Sequence, residues 1–156
     1  MEKSVIKEFL KHIQLFKGLN DLQLEAICDK VKVENFPANS MVFNENNIRQ
    51  NLFLIYEGEV ELFKRTPYGG EKRLSIFSRY DFIGEGALMD DSPHSTSARA
   101  TINSVIVTLS RDNFKELMKE QNETALAILS SIGRVISRRM SAANTRVINI
   151  AAQYQS

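Results

Sequence analysis

Residues 82–100 read FIGEGALMDDSPHSTSARA, and the spacing within them suits the holding of a small polar molecule. Gly84 and Gly86 bracket Glu85, Ala87 follows, and His94, Ser95 and Thr96 come nine to eleven residues after the glutamate. A carboxylate accepts hydrogen bonds from hydroxyls, and small neighbours let a ligand approach the backbone closely. His94 adds a titratable imidazole; Ser95 and Thr96 add hydroxyls that both donate and accept. No arginine or lysine lies between Glu85 and Ala98, so an acidic ligand finds no permanent cation inside the stretch. Taken singly, each residue also has a plainer reading. Glu85 can serve as a carboxylate at the start of a short helix, His94 as an exposed loop residue after Pro93, and Ser95 and Thr96 as strand-edge hydrogen bonders.

Other chemistry is weakly represented. His12 and His94 are the two histidines, Cys28 is the one cysteine, and no HExxH occurs, so no metal site is expected. Gly84-Glu85-Gly86 lacks the glycine spacing and the lysine of a nucleotide-triphosphate loop. Nothing resembles a nucleophile elbow, and the chain is not expected to be an enzyme. Its 20 basic and 19 acidic residues leave a formal charge of +1, with no general pull toward nucleic acid or anionic lipid. A lone cysteine forms no internal disulfide, and a reduced, cytoplasmic setting is expected. No apolar run reaches the roughly 18 residues of a membrane span. The N-terminus, MEKSVIKEFLKHIQ, lacks the apolar centre of a signal peptide.

The elements that must position residues 82–97 fall in three parts, expected to form one domain over 1–156. Residues 1–30 have helical spacing. Val5, Ile6, Phe9, Leu10 and Ile13 lie on one face of a first helix, and Asn20 with Gln23 forms a capping-box-like start to a second, with Leu22, Leu24 and Ile27 inward. Residues 31–110 break into short runs rich in Val, Ile, Phe and Thr, punctuated by Pro37, Gly58, Gly69-Gly70 and Asn103. Many short strands at close spacing predict an antiparallel roll or sandwich, with EVELFKR and KRLSIF as a hairpin. Residues 111–156 return to helical spacing, with Ser110 and Asn122 as N-caps. The last helix is expected to run to about Tyr154, weakened only at Gly133 by about 1 kcal/mol relative to alanine. The fold class is therefore α+β, an antiparallel β-roll of jelly-roll type between N-terminal helices and a long C-terminal helix.

Roughly 32 residues at 1.5 Å each span about 48 Å, so the last helix must project beyond a domain of this size. Ile136, Met140, Ala143, Val147, Ile150 and Tyr154 form an a/d seam along it. Leu126, Leu129 and Ile132 precede the seam on a face suited to the sheet. A homodimer along this helix is expected, since the seam would otherwise sit in water. Arg134, Arg138, Arg139 and Arg146 read as a solvated face.

This order of elements resembles the cyclic nucleotide-binding domain family, which includes the sensor half of the catabolite activator protein and the regulatory subunit of protein kinase A. LFKGLNDLQLEAICDKVKVENFPANSMVFNENN resembles its first helices and strands, NLFLIYEGEVELFK its central hairpin with Gly58 in the turn, and DFIGEGAL the opening of its phosphate-binding cassette. The resemblance implies that Glu85 binds a ribose 2′-hydroxyl and that backbone amides of Gly84, Gly86 and Ala87 approach the sugar-phosphate. It places His94 where an arginine normally pairs with the cyclic phosphate, with Ser95 and Thr96 beside it. It brings the long helix over the base near Ala143, with Asn144 and Thr145 as contacts.

Two positions depart from the family pattern. Histidine at 94 offers at most one donor toward the ligand at a time, where arginine offers a permanently charged fork. Losing a charge-assisted hydrogen bond costs about 1.5–3 kcal/mol. Arg99 does not replace it by register, because alternation with Ala98 and Ala100 points it outward. Tyr80 stands where the family usually has glycine. The resemblance implies a regulatory sensor with cyclic AMP or cyclic GMP as ligand, no cofactor or metal, and no membrane or direct nucleic-acid contact. Its partners would be a small-molecule effector, a second copy of the chain through the C-terminal helix, and an output domain in a larger chain. The alternative is a degenerate domain of the same fold that binds a different small ligand or serves as a dimerisation or protein-interaction module.

Overall fold

The N-terminal helices form where the apolar spacing places them, and they close one side of the molecule. In α1 (Lys3–His12), Ile6, Phe9 and Leu10 are buried, and Ile13 follows them into the core. Val5 lies at the margin of that face and is partly exposed. A capping box starts α2 (Asp21–Cys28): the Gln23 amide donates to Asn20 Oδ1 at 2.9 Å, and the Asn20 amide donates to Gln23 Oε1 at 2.9 Å. Leu24 and Ile27 are buried, whereas Leu22 is 73% exposed. Residues two apart on a helix point to different sides, so Leu22 cannot share the inward face of Leu24. The computed structural model describes the backbone of residues 1–153 and the side-chain surroundings of residues 1–150; Tyr154, the last residue of the expected seam, lies outside them.

Eight strands follow: β1 (Val31–Phe36), β2 (Met41–Phe43), β3 (Asn51–Glu57), β4 (Val60–Arg65), β5 (Glu71–Phe77), β6 (Phe82–Ile83), β7 (Ser97–Ala100) and β8 (Ser104–Ser110). They make two antiparallel sheets, in the orders β1-β8-β3-β6 and β2-β7-β4-β5. β4 and β5 form the hairpin expected around Gly69-Gly70. The expected hairpin around Gly58 is a corner instead. β3 and β4 belong to different sheets, and Gly58, at φ 99°, turns the chain from one to the other. The turn lets both strands bury their inner faces. Phe53, Ile55 and Val60 pack with Ile83, Ala98 and Ile106 in one cluster, while the alternate residues Leu52 and Leu54 face the helical core.

That larger core joins α1, α2 and the first sheet to the C-terminal helices. Ser110 caps α3 (Arg111–Glu120), accepting from the Asn113 amide at 3.1 Å. α4 (Asn122–Gln153) has 32 residues. Asn122 is its first residue rather than its cap. The inward stripe is Ala125, Ile128, Ile132 and Val135, with Leu129 and Ile136 partly buried against it. Leu126 is 54% exposed, since it sits off a stripe centred on Ile128 and Ile132. From Ser137 to Ile150 every residue is exposed, so the second half of α4 projects from the body as its length requires.

Candidate ligand-binding site

The chain reaches the site through a strained turn. Tyr80 takes the left-handed region at φ 72°, which a bulky residue rarely adopts. Its ring stacks on Phe9 at 5.7 Å and lies 4.9 Å from that of His12, and the Arg79 guanidinium lies 5.0 Å from its centroid. This packing against α1 offsets the backbone cost. The tyrosine ring thus packs on the outer side of the turn, while the pocket beyond it is lined by other residues. β6 then buries Phe82 and Ile83, and Gly84, at φ 77°, opens a 3₁₀ turn over Glu85–Leu88. A β-carbon at Gly84 would lie 2.8 Å from the Asn51 carbonyl oxygen, so both space and conformation require glycine there.

The loop between β2 and β3 is laced to the far end of the cassette. The Asn46 amide donates to the His94 carbonyl at 2.9 Å, the His94 amide to the Asn47 carbonyl at 2.8 Å, and the Arg49 amide to the Ser92 carbonyl at 3.3 Å. Arg111, at the start of α3, ties the same two segments from below. Its Nε donates to the Ala87 carbonyl at 2.8 Å and its Nη2 to the Arg49 carbonyl.

Between these segments, the second sheet and α4 lies a cavity of about 240 Å³. Phe43, Leu62, Phe77 and Ile83 give it an apolar floor; Glu85, Ser95 and Thr96 give it polar groups; Ile136 and Arg139 of α4 cover it. Arg139 Nη1 donates to Glu85 Oε1 at 2.6 Å, and its guanidinium lies 5.1 Å from the centroid of Phe82. The Glu85 side chain is 14% exposed, so this ion pair is partly shielded from water. Arg49 enters from the other side. A β-carbon on Gly86 would run into the Arg49 guanidinium, so glycine at 86 makes room for the arginine.

His94 is 7% exposed and stacks on Phe43 with ring centroids 3.8 Å apart. Burial first, and the Arg49 charge second, lower its pKa to about 4. The imidazole is therefore neutral at pH 7, and the positive charge at the site comes from Arg49 and Arg139. Neither was singled out as a site residue from the sequence. Arg49 follows a run of turn residues with no periodic pattern, and Arg139 was grouped with a solvated face; its place one turn beyond Ile136 was the available signal.

Of the residues expected at the site, Gly84, Glu85, Gly86, His94, Ser95 and Thr96 line the cavity together. Ala87 is fully buried beneath it, with its carbonyl on Arg111. Asn144 and Thr145, with Ala143, lie on the projecting half of α4 and are exposed; Thr145 Oγ1 donates to the Ser141 carbonyl at 3.1 Å. The helix covers the cavity a turn or more earlier than expected. Arg99 stays outside, donating to Glu61 from Nε at 2.9 Å and to Glu71 from Nη2 at 3.0 Å, with its guanidinium 4.5 Å from the Phe63 centroid. Among the described residues no three His, Cys, Asp or Glu side chains gather to hold a metal ion.

The depressed His94 pKa has a stability consequence. The unfolded chain takes up a proton near pH 6.5, and the folded one resists it until about pH 4. More protons are bound in the unfolded state across that window, so stability falls as pH drops through it and is unaffected above it. Between pH 7.5 and 4.5 the wild type should lose about 2–3 kcal/mol more than His94→Gln, measured by urea unfolding. Equal losses would contradict the buried, neutral imidazole.

Comparison with known proteins agrees with this architecture. The family model described as the cyclic nucleotide-binding domain matches residues 33–121. A "CRP-like cAMP-activated global transcriptional regulator" of Mycobacterium tuberculosis is 26% identical over 143 residues, which cover 92% of this chain and 62% of that protein. A "cAMP-dependent protein kinase regulatory subunit" of Aspergillus fumigatus is 31% identical over 116 residues, covering 74% of this chain and 27% of that one. The chain thus spans less than two thirds of either relative. A crystal structure of a cyclic nucleotide-binding domain from Methylobacillus flagellatus superposes with a TM-score of 0.80 at 23% identity, over 94% of this chain and 82% of that one. No helix among the described residues is long and apolar enough to cross a membrane. With all but the first two residues of its two sheets, its cassette and α3 inside the matched range, the chain belongs to the cyclic nucleotide-binding domain family.

Proposed function

We propose that this chain is a regulatory sensor that binds a cyclic nucleotide, cyclic AMP or cyclic GMP, and signals through α4. The observation that carries the reading is the cavity between the cassette and α4, with Glu85 at its mouth paired to Arg139. Glu85 is positioned to accept from a ribose 2′-hydroxyl, and Ser95 and Thr96 offer hydroxyls to the phosphate. A sugar hydroxyl on Glu85 would compete with Arg139, so ligand-free and ligand-bound chains would hold α4 differently. That difference in contacts is what a ligand needs to shift a conformational equilibrium. The neutral His94 favours a second reading, in which the occupant is another small molecule of lower charge.

Calorimetric titration at pH 7.5 separates the two. The proposal expects saturable binding of cyclic AMP or cyclic GMP, and roughly tenfold weaker binding of the 2′-deoxy analogue. No heat at millimolar cyclic nucleotide would contradict it and leave the second reading.

The projecting half of α4 is read as the output and the dimer seam. Met140, Val147 and Ile150 are 61%, 65% and 55% exposed along the expected a/d spacing. A second copy would cover them, and the output domain of a longer chain would receive the motion. Sedimentation at tens of micromolar should give twice the chain mass; a monomer there would contradict the dimer.

A further inference from the structure

We propose that Arg49 is the anion contact of this pocket, and that the site is matched to a single negative charge. This deepens the reading of the cavity as a nucleotide site and rests on it. Among the described residues, two permanently charged cations line the cavity, Arg49 and Arg139. Arg139 is committed to Glu85 at 2.6 Å, and the two charges cancel. Arg49 is not committed in this way. The nearest carboxylate, Asp90, lies 3.6 Å from Nη1, beyond a good charge-assisted hydrogen bond. Asp90 in turn accepts from the Ser92 amide at 3.0 Å. One guanidinium therefore lines the cavity with only a loose ion pair to Asp90.

Its placement is fixed by the backbone. The Arg49 amide is held by the Ser92 carbonyl, and its own carbonyl accepts from Arg111. Its side chain is 27% exposed, so a bound anion would meet it in surroundings that screen charge less than water does. It lies over Gly86, and His94, Ser95 and Thr96 share the cavity with it. The Arg49 charge acts with burial to lower the His94 pKa. A planar fork beside two residues with hydroxyls fits two oxygens of one phosphate or carboxylate. One cation held only loosely by a carboxylate suits a monoanion such as a cyclic phosphodiester.

The test titrates wild type, Arg49→Ala and Arg49→Lys with cyclic AMP, cyclic GMP and adenosine, and follows thermal stabilisation by inorganic phosphate in parallel. The expected result is a loss of about ten- to a hundredfold in cyclic AMP affinity for Arg49→Ala. Arg49→Lys should fall between, and adenosine binding should be unchanged, which also shows that the variants fold. Equal cyclic AMP affinity in wild type and Arg49→Ala overturns the assignment and leaves the sensor reading standing. Equal losses for adenosine and cyclic AMP also overturn it. If cyclic AMP and cyclic GMP both fail to bind while phosphate stabilises wild type but not Arg49→Ala, the assignment holds and the nucleotide reading falls. If neither cyclic nucleotide nor phosphate has an effect on wild type, both fall.

Discussion

The site depends on one guanidinium that never enters it. Arg111 stands where β8 gives way to α3, and it donates to the carbonyls of Ala87 and Arg49 at once. Those carbonyls belong to the cassette and to the β2–β3 loop, which are far apart in sequence. Arg111 adds to the backbone hydrogen bonds that join the loop to residues 92–94, and it reaches the start of the cassette, which those bonds do not. With it, the segments that carry Glu85 and Arg49 are held together at one cavity. The anchor itself is the first residue of a helix packed against α4. The cassette is thus linked to α3 and α4 by hydrogen bonds as well as by the Glu85–Arg139 pair.

The electrostatics follow from that placement. The cavity floor is apolar, and His94 is pressed flat on Phe43. An imidazolium there would have to exist in a dry site beside an arginine, and burial and repulsion act together against it. In the assignment proposed above, an anion is met instead by Arg49, which lies over Gly86. Glu85 sits in similar surroundings but meets the opposite sign, so its pairing with Arg139 is favourable. Cassette and helix are thus joined by a contact that a sugar hydroxyl can contest.

Local signals in the sequence were legible, and distant ones were not. The Asn20 capping box, the Ser110 cap and the Gly69-Gly70 hairpin depend on residues within a few positions, and each forms as read. Gly84, Glu85 and Gly86 were legible only through the resemblance of DFIGEGAL to the family's cassette, and they line the cavity. The arrangement around Gly58 was not, since whether two successive strands pair or part depends on partners such as β8 and β7. Arg49 was invisible for the same reason: its role comes from hydrogen bonds to Ser92 and Arg111, separated from it by tens of residues. On α4, periodicity gave a helix but left its rotation open by a residue, hence Ala125 and Ile128 inside and Leu126 outside. The same rotational and axial freedom put Asn144 and Thr145 beyond the cavity and Arg139 over it.

The most direct measurement is a crystal structure of the chain grown with cyclic AMP. The account predicts a phosphate oxygen about 3 Å from the Arg49 guanidinium and the ribose 2′-hydroxyl on Glu85, with Arg139 displaced from that carboxylate. A phosphate turned to His94 or to solvent, with Arg49 still beside Asp90 and the Glu85–Arg139 pair intact, would contradict it.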